Sequence, residues 1–487
     1  MSLIKVQNLT FSFPSSHNNI FEDVNFQIDT DWRIGFVGRN GRGKTTFLNL
    51  LCGKYEYSGK IISSVKFAYF PYSIADKNKL TKDILCEICP YAQEWEFLRE
   101  FSYLKVNDDV FYRSFNTLSN GEQTKVLLAA LFLHDENFLL IDEPTNHLDI
   151  NARKIVSTYL QKKKGFILVS HDRYFLDGCV NHILSLNRAN IEVQSGNFSS
   201  WLTNFEQRQK FELAQNEQLK KDINRLQKSA KRSAIWSDRV EASKIGAVDK
   251  GYVGHKSAKM MKRAKSIEAR QHKSIEQKAG LLKNLETAEK LKIMPLTYHT
   301  DTLISASDVA IYYDKNIICK SVSFNVNRGE RIILSGKNGC GKSSLLKLLM
   351  GEKIEHSGKI HIGAGVLISY VPQNTSHLGG KLSDFAKKNH IDESLFKAIL
   401  RKMDFERIQF EKNIVEFSEG QKKKVLLAKS FCERAHLYIW DEPLNFIDIY
   451  SRMQIEQLIE DFLPTMLLVE HDEFFQNKIA TKIIEIY

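Results

Sequence analysis

The sequence has no apolar run long enough to cross a membrane. A bilayer-spanning helix needs about 20 mostly apolar residues, whereas charged side chains make up 26% of these 487 residues and interrupt every apolar stretch. The first residues also lack the basic start and continuous apolar block of a secretion signal. We therefore expect a cytoplasmic protein without a membrane-spanning domain.

Cysteine is scarce, with seven residues scattered along the chain. A scattered set lacks the clustering of a disulfide framework and fits a reducing compartment. Cys86 and Cys89 have the spacing of a metal or redox pair, but no second pair or histidine lies near them in sequence. We interpret them as two ordinary thiols on one helical stretch.

Proline is absent between Pro144 and Pro295, and from about residue 204 onward this part is rich in Lys, Glu, Gln and Ala. Such a composition is typical of long helices. Apolar residues step by four and three in two places, as in the seam of a two-helix coiled coil. These residues are Leu219, Ile223, Leu226 and Ala230, and then Leu281, Leu285 and Ala288. With glycines clustered between them, the pattern predicts a helical hairpin.

The positive charge is concentrated in this same segment. The whole chain carries a formal net charge of +11, while residues 220–265 contain fourteen Lys or Arg against four acids, which gives +10. The rest of the chain is therefore nearly neutral. A basic patch of this kind attracts polyanions such as nucleic acid, although a solvated charged hairpin without a ligand is the alternative.

The remaining sequence repeats itself. Four short stretches recur in the same order at offsets of 298 to 300 residues. The pairs are 38–45 with 336–343, 118–123 with 417–422, 142–144 with 441–443, and 170–172 with 470–472. The repetition predicts two copies of one domain, residues 1–200 and 298–487, joined by the basic linker 201–297 with its tip at about 236–256.

The first repeated stretch has the P-loop spacing G-x-x-x-x-G-K-[ST], placed between an apolar strand pattern and a helical pattern. Its backbone amides and helix N-terminus suit phosphate groups. We expect the lysines to reach the β- and γ-phosphates and the hydroxyl residues to hold Mg²⁺. The predicted ATP-binding residues are Gly38, Arg39, Asn40, Gly41, Arg42, Gly43, Lys44, Thr45 and Thr46, and then Gly336, Lys337, Asn338, Gly339, Cys340, Gly341, Lys342, Ser343 and Ser344.

Two acidic residues end a buried apolar strand in each copy, at Asp142-Glu143 and Asp441-Glu442. We expect the aspartates to order the metal ion and the glutamates to polarise the attacking water. A histidine follows in each copy, and these residues are expected to sense the γ-phosphate. The predicted catalytic residues are Glu143, Glu442, His171 and His471, with Thr45, Asp142, Ser343, Gln373 and Asp441 as metal ligands.

The second repeated stretch resembles the signature loop of ATP-binding cassette (ABC) proteins. In that family two cassettes meet head to tail, so each ATP lies between one P-loop and the signature of the other copy. The resemblance implies an α/β fold with two tandem P-loop ABC ATPase domains joined by a long α-helical hairpin. It also implies that each signature completes the other copy's site, through Ser119, Gly121 and Glu122 and through Ser418, Gly420 and Gln421.

Other ABC features differ between the copies. Phe13 and Tyr313 occupy the positions where cassettes stack adenine on an aromatic ring, although both could equally be core residues. Gln373 matches the glutamine that usually links the metal ion and γ-phosphate to the domain, whereas the first copy has Tyr72 there. The resemblance therefore implies that the two sites are not equivalent.

Two cassettes, a helical linker and no membrane domain resemble the ABC-F proteins, and the motifs resemble antibiotic-resistance members of the Lsa and Vga kind. The resemblance implies a monomer that binds the bacterial ribosome, enters the tRNA exit site and displaces peptidyl-transferase-centre drugs. Its tip would contact large-subunit rRNA and P-site tRNA. The predicted tip contacts are Trp236, Arg239, Lys244, Lys250, Tyr252, His255 and Lys256. A housekeeping translation factor is the first alternative, and a transporter energy subunit or a DNA-associated cassette ATPase is the second.

Overall fold

A computed structural model gives the architecture of the chain. It describes residues 2–14, 19–134, 137–146, 148–187, 190–242, 290–313 and 316–486. The chain forms two compact units. Both cassettes belong to one unit, made of Met1–Trp201 and Ala288–Tyr487, and Leu202–Thr287 forms the other.

The first cassette combines a small antiparallel sheet with a larger, mostly parallel sheet. Its described strands are β1 (Leu3–Phe11), β2 (Phe21–Asp29), β3 (Arg33–Gly38), β4 (Ser58–Ile62), β5 (Lys66–Phe70), β6 (Asn137–Asp142), β7 (Phe166–Val169), β8 (His182–Leu186) and β9 (Ile191–Ser195). Its described helices are α1 (Lys44–Leu51), α2 (Thr81–Ile88), α3 (Glu94–Leu104), α4 (Asn120–Phe132), α5 (Ile150–Gln161) and α6 (Arg173–Cys179), with 3₁₀ turns at Asp108–Tyr112 and Phe115–Thr117. The sheet orders are β2-β1-β4 and β5-β6-β7-β3-β8-β9.

One long helix, α7 (Phe198–Ala242), follows the first cassette. Its 45 residues correspond to a length of about 68 Å at the usual helical rise. The predicted return helix and the tip residues Lys244, Lys250, Tyr252, His255 and Lys256 lie outside the described residues, as do the side chains of Trp236 and Arg239. The helical hairpin therefore stays a prediction.

The second cassette repeats the design of the first. Its described strands are β10 (Thr302–Tyr313), β11 (Asn316–Asn327), β12 (Arg331–Gly336), β13 (His356–Ile362), β14 (Ile368–Val371), β15 (Leu437–Asp441), β16 (Met466–Val469) and β17 (Lys482–Ile486). Its described helices are α8 (Lys342–Leu349), α9 (Leu382–Lys388), α10 (Glu393–Lys402), α11 (Glu419–Cys432), α12 (Ile449–Phe462) and α13 (Glu473–Ile479), with 3₁₀ turns at Arg407–Glu411 and Ile414–Glu416. The sheet orders are β11-β10-β13 and β14-β15-β16-β12-β17.

The strand order brings the repeated motifs together. In the first cassette the P-loop follows β3 and the acidic pair lies at the end of β6, and β7 is the strand between these two. In the second cassette the corresponding strands are β12, β15 and β16. The strands of these three-strand groups run parallel, so their carboxyl ends meet at one edge. Ligands of open parallel sheets bind at this edge. The predicted α/β fold class with two tandem cassettes is thus confirmed.

Aromatic packing fixes the start of α1 against the sheet. The Phe47 ring lies 5.5 Å from that of Phe36, 5.7 Å from that of Phe26 and 5.9 Å from that of Phe21, measured between ring centroids. Leu345 is the fully buried counterpart of Phe47 in the second cassette. Burying these side chains stabilises the helix by roughly 1.5 to 3 kcal/mol each, and thereby holds the P-loop in place.

No helix among the described residues is both long enough and apolar enough to span a membrane.

Candidate nucleotide sites

Each P-loop folds around its own lysine. The Lys44 ammonium donates hydrogen bonds to the Gly38 carbonyl at 2.7 Å, the Arg39 carbonyl at 3.2 Å and Asn40 Oδ1 at 3.3 Å. In the second cassette Lys342 binds the Gly336 carbonyl at 2.8 Å in the same way. Burial lowers the pKa of Lys44, although nearby carboxylates oppose this. Both lysines therefore lie buried at the centre of a loop of backbone amides that suits phosphate.

Glycine at the end of each loop is required by the backbone. Gly43 and Gly341 immediately precede α1 and α8 with φ values of 99° and 89°, which L side chains rarely adopt. A Cβ at Gly43 would also lie 2.6 Å from the Ile20 side chain. The remaining predicted loop residues occupy the turn or the first helical turn: Gly41, Arg42 and Thr46, and Asn338, Gly339, Cys340 and Ser344.

A hydroxyl and a carboxylate meet beside each lysine. The Thr45 hydroxyl donates to Asp142 Oδ2 at 2.8 Å, and the Ser343 hydroxyl donates to Asp441 Oδ1 at 3.1 Å. Burial raises the pKa of Asp441 to about 6. Mg²⁺ prefers oxygen ligands and is usually bound by one or two protein groups together with substrate phosphates. The donor sets of both sites therefore fit Mg²⁺ bound with a nucleotide.

The glutamate after each aspartate faces a histidine. Glu143 Oε1 lies 3.3 Å from His171 Nε2, and Glu442 Oε1 lies 3.7 Å from His471 Nε2. Burial raises the pKa of Glu143 to about 8, with Asp142 adding to the effect. Burial lowers the pKa of both histidines, that of His471 to about 3. Both imidazoles are therefore neutral at physiological pH.

The second signature closes over the first P-loop. Asn40 Nδ2 donates to the Phe446 carbonyl at 2.7 Å across the two cassettes. A Cβ at Gly420 would lie 2.5 Å from that carbonyl oxygen and 3.0 Å from Asn40 Nδ2, so only glycine fits. Ser418 caps α11 by accepting a hydrogen bond from the Gln421 amide at 3.3 Å. This arrangement is the head-to-tail contact that the ABC resemblance implies.

The first signature faces the second P-loop across a cavity. The cavity has a volume of about 780 Å³, which is in the range of small-molecule sites. Its lining combines the first signature with the P-loop and acidic residues of the second cassette. The predicted residues that line it are Ser119, Gly121, Glu122, Lys337, Asn338, Gly339, Gly341, Lys342, Ser343, Ser344, Gln373, Glu442 and His471.

The predicted adenine-stacking residues, and the residues at the position of the metal-linking glutamine, differ between the two cassettes. The Phe13 ring packs edge-on against Phe11 at 5.1 Å and Tyr55 at 5.7 Å between centroids, while residue Tyr313 is 45% exposed. Tyr313 is therefore the more exposed of the two predicted adenine-stacking residues. Tyr72 is exposed, and Gln373 lines the cavity at the second site.

Tyr69, three residues before Tyr72, reaches the metal-binding position instead. Its hydroxyl donates to Asp142 Oδ2 at 2.8 Å, so that oxygen accepts from both Tyr69 and Thr45. In the second cassette the equivalent Tyr370 hydroxyl is buried without a hydrogen-bond partner among the described residues. The two sites thus differ in the hydrogen bonds around the aspartate, a difference that involves Tyr69 rather than Tyr72.

Two arginines that belong to none of the four repeated motifs hold the loops that carry the histidines. Arg153 Nη1 lies 2.8 Å from Asp172 Oδ2 and also donates to the His471 carbonyl at 3.2 Å. Its counterpart Arg452 lies 2.7 Å from Asp472. Both arginines repeat at an offset of 299 residues, so the internal repeat was the signal that could have revealed them.

A buried lysine connects two functional loops in the second cassette only. Lys423 Nζ donates to the Pro372 carbonyl at 2.9 Å and to the Asp441 carbonyl at 3.3 Å. Burial lowers its pKa to about 8. The first cassette has Thr124 at this position, and its hydroxyl binds the Asn120 carbonyl within the same helix. The signature helix α11 is therefore tied directly to the strand that ends at Asp441.

A buried ion pair joins the cassettes on the side of the first site. Arg173 Nη2 lies 3.0 Å from Glu456 Oε1, and both side chains are almost fully buried. The Arg173 guanidinium also lies 4.5 Å from the centroid of the Phe474 ring. The equivalent positions on the opposite side are Ser157 and Glu473, and both line a cavity of about 500 Å³. One side of the interface is therefore held by a buried ion pair, whereas on the other side Glu473 pairs with the more exposed Lys154 beside a cavity.

Comparisons with known proteins agree with this geometry. Residues 21–146 and 319–445 each match the ABC transporter family. Ribosome protection protein VmlR of Bacillus subtilis (strain 168) is 27% identical over 491 residues, which cover 96% of this chain and 84% of VmlR. Energy-dependent translational throttle protein EttA of Haemophilus influenzae is 26% identical over 97% of this chain and 89% of EttA.

A solved structure has the same fold. The archaeal ribosome recycling factor aABCE1, crystallised with the stalk protein aP1, superposes with a TM-score of 0.64 at 17% identity, over 98% of this chain and 87% of that one. Two family matches, two P-loops and two facing signatures lead to one conclusion. The chain belongs to the ABC transporter family, as an ATP-hydrolysing protein with two cassettes that resembles the ABC-F members.

Proposed function

We propose that this protein is a cytoplasmic ribosome-binding ABC-F ATPase that protects the peptidyl-transferase centre from antibiotics. ATP closes the cassettes, and the basic linker then enters the tRNA exit site and displaces the drug. The expected drug classes are lincosamides, streptogramins A and pleuromutilins. The observation that carries the proposal is the charge of +10 on residues 220–265, which lie between the two cassettes of one chain.

The chemistry at each site follows from its own residues. Lys44 and Lys342 bind phosphate oxygens, while Glu143 and Glu442 polarise the attacking water. Bound Mg²⁺ would neutralise phosphate charge, and the residues that would hold it are Thr45, Asp142, Ser343, Gln373 and Asp441. We expect His171 and His471, both neutral, to donate a hydrogen bond to the γ-phosphate.

The relatives support a ribosomal partner. VmlR is named a ribosome protection protein and EttA a translational throttle protein. The similarity to each of them covers 96% or more of this chain. The fourteen cationic side chains of residues 220–265 supply the attraction to rRNA and tRNA phosphates, because binding these phosphates releases condensed counterions. A transporter subunit or a DNA-associated ATPase would instead be recovered with membranes or DNA.

Ribosome binding should depend steeply on salt. Replacing Lys244, Lys250, Lys256 and Lys259 by Gln should reduce the slope of log affinity against log salt by roughly 0.7 to 0.9 for each phosphate that the variant no longer neutralises. Co-sedimentation with large ribosomal subunits across a salt series measures this slope. The matched control replaces exposed cassette lysines, Lys5, Lys60, Lys359 and Lys412, by Gln. If the control reduces the slope equally, the linker does not bind the ribosome.

Drug protection should require the linker tip. Deleting residues 236–256 should leave ATP hydrolysis by the purified protein unchanged, because the deleted residues lie outside both cassettes. The same deletion should abolish growth of a susceptible strain on lincosamides, streptogramins A and pleuromutilins. Retained resistance in the deletion variant would contradict the placement of drug displacement at the tip.

The similarity to EttA favours a second function, a housekeeping translation factor. The same growth experiment separates the two candidates. A translation factor should bind ribosomes and hydrolyse ATP but give no resistance to any of these drugs when expressed in a susceptible strain. Resistance that requires an intact tip supports protection.

A further inference from the structure

The two nucleotide sites carry opposite charges at one equivalent position. Lys105 follows α3 and Asp404 follows α10, and both have a left-handed backbone, with φ values of 50° and 70°. The next residues, Val106 and Phe405, are buried and donate their amides to the carbonyl five residues earlier. Because the local backbone is the same, both side chains project from the same place, one in each cassette.

At the first site this position bridges the cassettes. Asp404 Oδ1 lies 3.2 Å from Arg39 Nη1 and 3.6 Å from Arg42 Nη2, both in the facing P-loop. The Arg39 guanidinium also lies 5.4 Å from the centroid of the Tyr450 ring, and Arg39 is only 8% exposed. These contacts are attractive in the protein alone, so the first site closes without help from a ligand.

At the second site the equivalent contact pairs like charges. Lys105 replaces the aspartate, and Lys337 with Cys340 replaces the two arginines. Lys105 and Lys337 are exposed and line the 780 Å³ cavity with Lys125 and Lys342. Neither Lys105 nor Lys337 forms an ion pair with any residue that the structure describes. The cavity therefore has ammonium groups on both of its walls.

The acids that line the same cavity are already engaged. Glu122 accepts hydrogen bonds from the Ser119 amide and hydroxyl, and Asp149 accepts one from the Ala152 amide at 2.8 Å. Glu442 accepts one from the Asn445 side chain. These bonds hold the carboxylates of Glu122 and Asp149 at the starts of their helices, and that of Glu442 beside Asn445. The two exposed lysines are thus left to bind an anion from outside the chain.

We propose that Lys105 is a nucleotide-binding residue that the first cassette supplies to the second site. Its ammonium binds a phosphate oxygen of the nucleotide held by the second P-loop, together with Lys342, and this shared anion offsets the repulsion between Lys105 and Lys337. The second site then closes only around a phosphate-bearing ligand, whereas Asp404 lets the first site close alone. The proposal concerns ATP binding and does not depend on the ribosomal function.

Nucleotide titration of the full chain tests this proposal. In a Lys44→Ala background, which weakens the first site, a fluorescent and slowly hydrolysed ATP analogue reports the second. Lys105→Asn removes the charge but tolerates the left-handed backbone, and it should weaken the analogue roughly tenfold. Lys105→Arg should stay within about twofold of the parent because it keeps the cation. Lys164→Asp, an exposed change in the same cassette, should have no effect.

Amide hydrogen exchange provides a second measurement. The predicted change in exchange rates would not occur if Lys105 had only a structural role. Lys105→Asp recreates the charge pairing of the first site, so amides 336–341 should exchange more slowly without nucleotide and approach the rates of amides 38–43. Unchanged analogue affinity in Lys105→Asn would overturn the proposal. So would a loss of inorganic phosphate binding with the analogue unaffected, because the anion would then not be the nucleotide. Unaltered analogue binding at the first site, with Lys44 intact, shows that each variant is folded.

Discussion

The double change of Glu143→Gln and Glu442→Gln should trap the protein on the large ribosomal subunit. Glutamine has nearly the same shape but is a far weaker base, and loss of a general base typically lowers the rate by roughly 10² to 10⁴. Nucleotide binding should persist because the P-loop lysines are untouched. Burial already raises the pKa of Glu143 to about 8, so a neutral side chain is tolerated there. ATP turnover and co-sedimentation, measured together, check the prediction.

The control replaces one exposed glutamate in each cassette, Glu22 and Glu355, by Gln. This variant should hydrolyse ATP and leave ribosomes as the parent does. Each single change, Glu143→Gln or Glu442→Gln, should reveal how much turnover each site contributes. If the double variant dissociates from ribosomes as fast as the parent does, hydrolysis does not drive release.

The change Lys424→Met should destabilise the protein by about 3 to 5 kcal/mol, because it leaves a buried carboxylate without its partner. Lys424 Nζ lies 2.8 Å from Asp448 Oδ2, and the two side chains are 4% and 1% exposed. Burial pushes the pKa of Asp448 upward, but the Lys424 ammonium and hydrogen bonds outweigh it and the net pKa is lowered. Urea unfolding followed by circular dichroism measures the loss.

The first cassette offers the matched control. Lys125 occupies the equivalent position, is only partly buried and lines the open cavity, so Lys125→Met should cost about 1 kcal/mol or less. The pH dependence has a definite sign. Because the folded pKa of Asp448 is lowered, its contribution is present above the unfolded value of about 3.9 and is lost in acid below it. Equal losses in the two variants would contradict the special role of the pair.

The features that short sequence motifs determine were predictable from the sequence. The P-loops, the acidic pairs and the repeat offset are local patterns, and they led to the fold class and to the groups around Lys44 and Lys342. Gly420 was predicted from the signature, and its close contact with Asn40 follows the expected head-to-tail arrangement.

Contacts between distant residues were not predictable in the same way. Asp404 and Lys105 belong to no motif, and their importance depends on which loop faces them across the interface. Arg173 and Glu456 are 283 residues apart, and no periodicity connects them. The direction of the Phe13 ring was also open, because a residue just after a strand can face either the core or the ligand. The Tyr69 hydroxyl was not predicted because the family motif concerns the position of Tyr72.

The unequal interface also determines which halves can assemble. Two copies of the first cassette would place Lys105 against Arg39 and Arg42, and would bury Arg173 opposite Ser157 without a countercharge. Two copies of the second would bury Glu456 opposite Glu473, which is a like-charge pair. Self-pairing of either half therefore leaves buried charges unmatched, whereas the mixed pair places Arg173 against Glu456 and Asp404 against Arg39 and Arg42. If the coding sequence were divided in the linker, the separate halves should find each other and form mixed dimers rather than competing homodimers.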